Sequence, residues 1–256
     1  MELTNVLLDK KNHVAIVTIN RPSANSWNLG AMEDFQKVLD DVEADKNVRV
    51  VIITGAGDKC FSAGFDVSDA GNAVKTAAMG RDLWRRVDRF PKPVIAAMNG
   101  HALGGGLELA LCCHFRIMAN DNGAKTGLTE LNLGIIPGWG GTQRLMMATG
   151  KQKALDMILF GHRLSAEEAL AAGMLNDTAP VADLMNKAMD LATKLAARPP
   201  LAVTGVLKAM SAGIYEGVDA GLKVEEEMSN VAMNSKDAVE GFTAFLEKRP
   251  AVFTGE

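Results

Sequence analysis

Three consecutive glycines, Gly104, Gly105 and Gly106, separate a short apolar run at residues 93–98 from a second one that begins at Leu107. Without Cβ atoms the backbone there can approach a ligand closely, at a point where a helix start leaves N–H groups without partners. Such a helix start attracts negative charge. The first run suits a buried strand, and the second reads as a helix reaching Cys112 and Cys113. One carboxylate, Glu108, falls in the first turn of that helix. It is either a surface group that compensates the helix dipole or a reagent facing a pocket.

Strand, glycine corner and helix recur on both sides of this stretch. Residues 13–19, rich in Val and Ile, read as a strand that Pro22 ends. Asn28 is placed to cap a helix on which Leu29, Met32, Phe35, Leu39 and Val42 recur at helical spacing. Residues 48–54 form another buried strand, closed by Gly55 to Asp58, and the sequence Ser62-Ala63-Gly64-Phe65-Asp66 bends the chain, with Asp66 able to cap the segment after it. Residues 68–78 are small and polar with weak periodicity and are expected to form a mobile covering segment; residues 81–90 are expected to be helical. After a strand at 114–118, the glycines Gly138, Gly140 and Gly141 precede a helix over 142–149 that Gly150 stops, and Ser165 to Glu168 is a capping box for a helix ended by Gly173.

Beyond Pro180 the pattern becomes helical, over 184–197, 201–215, 218–233 and 236–248. The expected architecture is α/β, with a core over residues 1–198 and a helical C-terminal region over 199–256. The Pro199-Pro200 pair is the best candidate for a hinge between them.

A chain of 256 residues with 48% hydrophobic content can fill a substantial core. Its net charge of −4 and lack of a basic block give no general attraction to nucleic acid or to anionic membranes, so any anion must be bound locally. The N-terminal residues lack a signal-peptide pattern, and no apolar run approaches membrane-spanning length, which sets the expectation of a cytoplasmic protein. Cys60, Cys112 and Cys113 match neither a disulfide framework nor a zinc spacing and read as reduced core residues.

No Ser-His-Asp or Cys-His grouping, phosphate loop or metal-ligand cluster stands out. The reactive inventory is three backbone-rich corners, at 63–66, 104–106 and 138–141, with two carboxylates, Glu108 and Glu130. Taken singly, each glutamate would more often be a solvated surface residue. If the two share a pocket, repulsion and burial keep one protonated while the other is ionised, which supplies an acid and a base beside N–H donors for a developing oxyanion.

Six segments in order resemble the enoyl-CoA hydratase/isomerase (crotonase) superfamily. They are Asn20-Arg21-Pro22 with Ala24 to Asn28, Ser62 to Asp66, Asn99 to Glu108, Glu130 with Leu133-Gly134, Ile136 to Leu145, and Glu240-Gly241-Phe242 with Lys248-Arg249. The resemblance implies a core of stacked β-β-α units and a C-terminal helical region that mediates a homotrimer or a dimer of trimers. It implies an acyl-CoA substrate, with coenzyme A as part of the substrate and no separate cofactor or metal. It matches Glu108 and Glu130 to the two catalytic glutamates of hydratases and the N–H groups of Phe65 and Gly105 to the oxyanion hole.

For the coenzyme A and substrate site it points to Arg21, Ala24, Ser62, Ala63, Gly64, Asp66, Val67 and Gly138, with Phe245 and Lys248 reaching the nucleotide end from a neighbouring subunit. Ser68 stands where relatives often carry a lysine, which removes one expected phosphate contact. The implied reaction is syn hydration of a 2,3-enoyl-CoA to a 3-hydroxyacyl-CoA. Related alternatives are a hydratase of a cyclic or dienoyl-CoA, an enoyl-CoA isomerase, and a noncatalytic RNA-binding or scaffold relative. His101 and His114 are expected to be structural, and Trp84, Met79 and Leu83 either line the acyl pocket or fill the core.

Overall fold

The computed structural model describes residues 3–256. It opens with an antiparallel hairpin of β1 (Val6–Lys11) and β2 (Val14–Ile19), followed by α1 (Leu29–Ala44), β3 (Val50–Gly55) and a short β4 (Cys60–Ser62). A 3-10 turn over Val67–Asn72 runs into α2 (Ala73–Asp88), and then come β5 (Val94–Met98), β6 (His101–Leu103), α3 (Gly105–Cys112), β7 (Phe115–Ala119) and β8 (Thr126–Gly127). A second 3-10 segment, Glu130–Leu133, precedes α4 (Gly141–Thr149), α5 (Lys151–Phe160), α6 (Ala166–Ala171) and β9 (Asp177–Ala179). Four helices finish the chain: α7 (Val181–Ala196), α8 (Pro200–Glu216), α9 (Val218–Met233) and α10 (Lys236–Glu247).

The strands form two sheets, a six-stranded one in the order β1-β2-β3-β5-β7-β9 and a three-stranded one in the order β4-β6-β8. Every pair beyond the first hairpin is parallel. In each repeat a strand of the large sheet runs on into a strand of the small one: β3 into β4, β5 into β6, β7 into β8. The helix or 3-10 segment after each pair returns the chain, which is a stack of β-β-α units.

Every residue of β3 is buried because both faces of its sheet are covered. Val51 and Ile53 face the cluster that contains Met32, Phe35, Trp84 and Leu109, while Val50 and Ile52 face Leu184, Ala188 and Ala192 of α7. Asn99 holds the stack in register at the β5–β6 junction. Its Oδ1 accepts the Gly55 N–H at 3.0 Å and the Thr54 hydroxyl at 3.3 Å, and its Nδ2 donates to the carbonyls of Gly55 and Gly57 at 2.9 and 2.6 Å. Each polar atom of this buried amide is thereby used, as a low-dielectric site demands.

One reading of the sequence needs correction, and two elements escaped it. Residues 68–78 are a capped 3-10 turn and the first part of α2, with Thr76 fully buried. Their small side chains, which weaken the apolar periodicity, let the helix sit close to the core, and an added Cβ at Gly80 would lie 2.5 Å from the Trp139 ring. β1 escaped the apolar pattern because it is an edge strand with mostly exposed or half-buried residues, and α5 escaped it because Leu155, Leu159 and Phe160 are exposed. Pro199 and Pro200 stand at the N-terminus of α8, and the chain beyond them is bonded back to the rest: Arg49 donates to the carbonyls of Ala196 and Phe253, and Thr204 donates to that of Pro91 at 2.8 Å.

Candidate active site

Two backbone corners meet where β4 ends and α3 begins. An added Cβ on Gly64 would lie 2.7 Å from the Gly105 nitrogen, and Gly64 has φ of +87°, so the approach requires glycine on both counts. Ser62 braces the corner, accepting the Gly64 N–H on Oγ at 3.2 Å. Trp27 pairs alongside: its N–H donates to the Gly64 carbonyl at 2.8 Å and its carbonyl accepts the Asp66 N–H at 3.0 Å. That pattern skips the N–H of Phe65. The N–H of Gly105, at the first position of α3, has no partner within the helix. Two adjacent donors are thus available for an external oxygen.

Glu108 lies one turn into α3, with its N–H donating to the Gly104 carbonyl at 3.0 Å, and it is only 2% exposed. Its Oε1 accepts the N–H groups of Trp139 and Gly141 at 2.8 and 2.7 Å. Gly141 begins α4, so Glu108 lies against a helix start. Burial drives its carboxyl up to about 7, the charge of Glu130 adds to the rise, and the two N–H bonds with the Arg144 cation oppose it. Glu130 is half-buried at the start of its 3-10 segment, where its Oε1 is 3.0 Å from the place a Gly104 Cβ would occupy. Its Oε2 is buried and has no hydrogen-bond partner among the described residues. Burial raises the Glu130 carboxyl as well.

The hydrogen bonds separate the two groups. N–H donors favour a carboxylate at Glu108, whereas at Glu130 burial outweighs the backbone N–H groups of Glu130 and Thr129 that oppose it, and Oε2 has no donor. Because the charge of each disfavours ionisation of the other, the two carboxyls give up their protons in separate steps. Two adjacent N–H donors, a fixed carboxylate and a carboxyl can stabilise an oxyanion, activate water and deliver a proton.

Comparison with known proteins agrees with this geometry. The sequence profile of the enoyl-CoA hydratase/isomerase family matches residues 9–256. The chain belongs to that family. It is 40% identical over 255 residues to the short-chain-enoyl-CoA hydratase of Clostridium acetobutylicum, covering 97% of each chain. It is 44% identical over 250 residues to a probable enoyl-CoA hydratase of Bacillus subtilis, covering 95% of this chain and 96% of that one. The crystal structure of an enoyl-CoA hydratase from Bacillus anthracis superposes with a TM-score of 0.94 at 41% identity, over 98% of this chain and all of that one. The stacked α/β core is the fold of these family members.

The remaining residues to which the resemblance points fall into two groups. Ala63 donates its N–H to the Ala24 carbonyl at 2.9 Å, which joins the segment after Arg21 to the Ser62–Asp66 corner. Arg21 spans the same junction, bonding the Ser26 carbonyl at 2.6 Å and the Asp66 carboxylate at 2.8 Å. Asp66, whose carboxyl the Ser68 and Arg21 bonds hold below its usual range, caps the 3-10 turn through the Ser68 N–H. Val67 and Gly138 are exposed near these corners in sequence.

Phe245 and Lys248 lie elsewhere. Phe245 is 81% exposed on α10 and borders an apolar groove with Leu201, Met233, Phe242 and Phe253, apart from Glu108.

The histidines and Trp84 serve structure. His101 accepts the Lys125 N–H on Nδ1, and His114, whose imidazole burial pushes down to about 4, accepts the Val94 N–H at a strand end. Trp84 is fully buried between Trp27 and Trp139, each ring 5.0 Å away, and donates to the Gly105 carbonyl at 3.0 Å. Sequence reasoning misses the Trp139 and Gly141 N–H groups that hold Glu108. Their signal is present in the second glycine cluster before a helix, which by itself reads as a corner without an assigned occupant.

Proposed function

We propose that this chain catalyses syn addition of water across the 2,3-double bond of an enoyl-CoA thioester, with Glu108 and Glu130 as base and acid. The thioester oxygen is received by the N–H groups of Phe65 and Gly105, which draws electron density from the double bond. Glu108 takes a proton from water as the water oxygen bonds C3, and Glu130 delivers its proton to C2 of the enolate-like thioester. A 3-hydroxyacyl-CoA leaves, and the pair then passes its proton back through solvent. Ala24, Ala63, Gly64, Asp66 and Val67 border the coenzyme A moiety. Arg21 shapes that wall through Ser26 and Asp66, and Gly138 belongs to the same substrate site.

The observation that carries this reading is the nearly inaccessible Glu108, held by two N–H donors and electrostatically coupled to Glu130 beside the Phe65–Gly105 corner. Loss of the enoyl absorbance of crotonyl-CoA, with identification of 3-hydroxybutyryl-CoA as product, tests it. Migration of the double bond without hydration would assign the chain to isomerisation instead.

The pH dependence is set by Glu108. Its carboxyl must be ionised to act as the base, so kcat/KM falls as pH drops through about 7. A wild-type limb in the ordinary carboxylate range near 4 would contradict the assignment.

The same reading makes the protein a homotrimer or a dimer of trimers. Exposed Val206, Met210, Ile214 and Leu222 on α8 and α9, with Phe245 and Leu246 on α10, support an apolar interface. Phe245 and Lys248 would then reach the nucleotide end of a neighbour's substrate. A cytoplasmic location is supported by the three free, buried cysteines and the bacterial relatives. No helix among the described residues is long and apolar enough to cross a membrane.

A further inference from the structure

The Glu108 carboxylate is fixed by the N–H groups of Trp139 and Gly141, so the catalytic geometry depends on what fixes that backbone. Arg144, in the first turn of α4, donates through Nη1 to the Trp139 carbonyl at 3.0 Å. The corner is built around this guanidinium. Gly140 has φ of +104°, and an added Cβ there would lie 2.0 Å from Arg144 Nη1, so the cation fills the space a side chain would take.

Arg144 Nη2 reaches Asp88 at 3.3 Å, and the two side chains are 11% and 14% exposed. Asp88 ends α2, where the helix dipole disfavours an anion, so it is kept there by its partners. Its second partner is the Tyr215 hydroxyl, from the last turn of α8 in the C-terminal region. The Arg89 guanidinium lies 4.8 Å from the centre of the Tyr215 ring. Arg144 Nε is buried and has no hydrogen-bond partner among the described residues.

We propose that Tyr215, Asp88 and Arg144 form a strut from α8 to the Trp139–Gly141 backbone, making Arg144 a positioning residue for Glu108 and coupling the C-terminal helices to hydration. The proposal rests on the reading of Glu108 as the base. Besides the strut cation, the ionisable groups facing Glu108 are Glu130 from its 3-10 segment and the Cys112 thiol one turn on in α3. Arg144 lies on the side that favours the carboxylate.

Steady-state hydration of crotonyl-CoA across pH by purified full-length Arg144→Met, Arg144→Lys, Tyr215→Phe and Glu108→Gln tests the strut, with folding followed by circular dichroism. Arg144→Met is expected to lower kcat by about 100-fold, the scale of an ångström-level misplacement, with KM unchanged. Its acid limb moves to higher pH because a cation that favours ionised Glu108 is gone. Arg144→Lys restores the limb but only part of kcat, since an ammonium keeps the charge without the fork. Tyr215→Phe, at a partly exposed residue that tolerates the change, lowers kcat by roughly threefold to tenfold without moving the limb, as loss of one hydrogen bond implies.

Folded Tyr215→Phe and Arg144→Lys enzymes with wild-type kcat overturn the strut, as does a loss that only tracks the unfolded fraction. If these keep wild-type kcat while Glu108→Gln is inactive, the strut alone fails. If Glu108→Gln is itself active, the reading of Glu108 fails and the strut fails with it.

Discussion

Glu108→Gln lowers kcat for crotonyl-CoA hydration by about 10²–10⁴-fold, the range in which a positioned general base contributes, and leaves KM close to wild type. Glutamine has nearly the shape of glutamate, and its amide oxygen can still accept the Trp139 and Gly141 N–H groups that Oε1 accepts now. The corner therefore keeps its form. What disappears is the ability to take a proton from water, since a neutral amide has no basicity at neutral pH. Coenzyme A affinity is expected to persist because it is carried by other segments. Stopped-flow turnover together with calorimetric titration of a non-reacting acyl-CoA separates the two effects, and a variant within tenfold of wild type removes Glu108 from the role of base.

Gly106→Ala is expected to be the most damaging single methyl in the chain. The Cβ it adds would lie 2.0 Å from the Ser62 carbonyl oxygen and 2.7 Å from its carbon. Both are backbone atoms of β4, so no side-chain rotamer relieves the overlap. α3 must move away from β4, and overpacking of this kind costs about 3 kcal/mol or more. The movement widens the gap between the Gly64 corner and the Gly105 nitrogen, so the folded fraction also loses its pair of aligned N–H donors. A lowered thermal midpoint with kcat reduced beyond the loss of folded protein is the expected result. By contrast, Gly71→Ala, where an added Cβ meets nothing within 4 Å, should leave both unchanged.

The parts legible in the sequence are those in which local pattern and tertiary role coincide. Residues 93–98 are continuously apolar because β5 is covered on both faces, and the triple glycine marks the one place where α3 starts against β4. Glu108 is legible as an oddity, a carboxylate among Leu107, Leu109 and Ala110, although its burial requires tertiary structure. α2 is only half legible. Residues 73–80 pack through small side chains, and the reason for Gly80 is Trp139, which is 59 positions away in the chain and brought near only by the fold.

Convergence of Glu108 and Glu130 is out of reach of spacing. Glu130 stands beside Gly104 because β6 and β8 pair in parallel, with Leu103 opposite Gly127. Arg144 reads as one member of a motif, and its bonds to Trp139 and Asp88 join α4 to a loop and to α2. Family resemblance supplies roles at these positions, and the folded geometry supplies the physical reasons they can be filled.

The central claim is that Glu108 and Glu130 act together on one substrate. It is tested most directly by kcat for crotonyl-CoA hydration in wild type, Glu108→Gln, Glu130→Gln and the double variant, measured at one pH. Residues that act as a unit give non-additive losses. Each single variant should therefore lose about 10²-fold or more, and the double variant should be little slower than the slower single. Near-normal turnover in either single variant, or a double-variant loss equal to the product of two independent losses, would contradict the account.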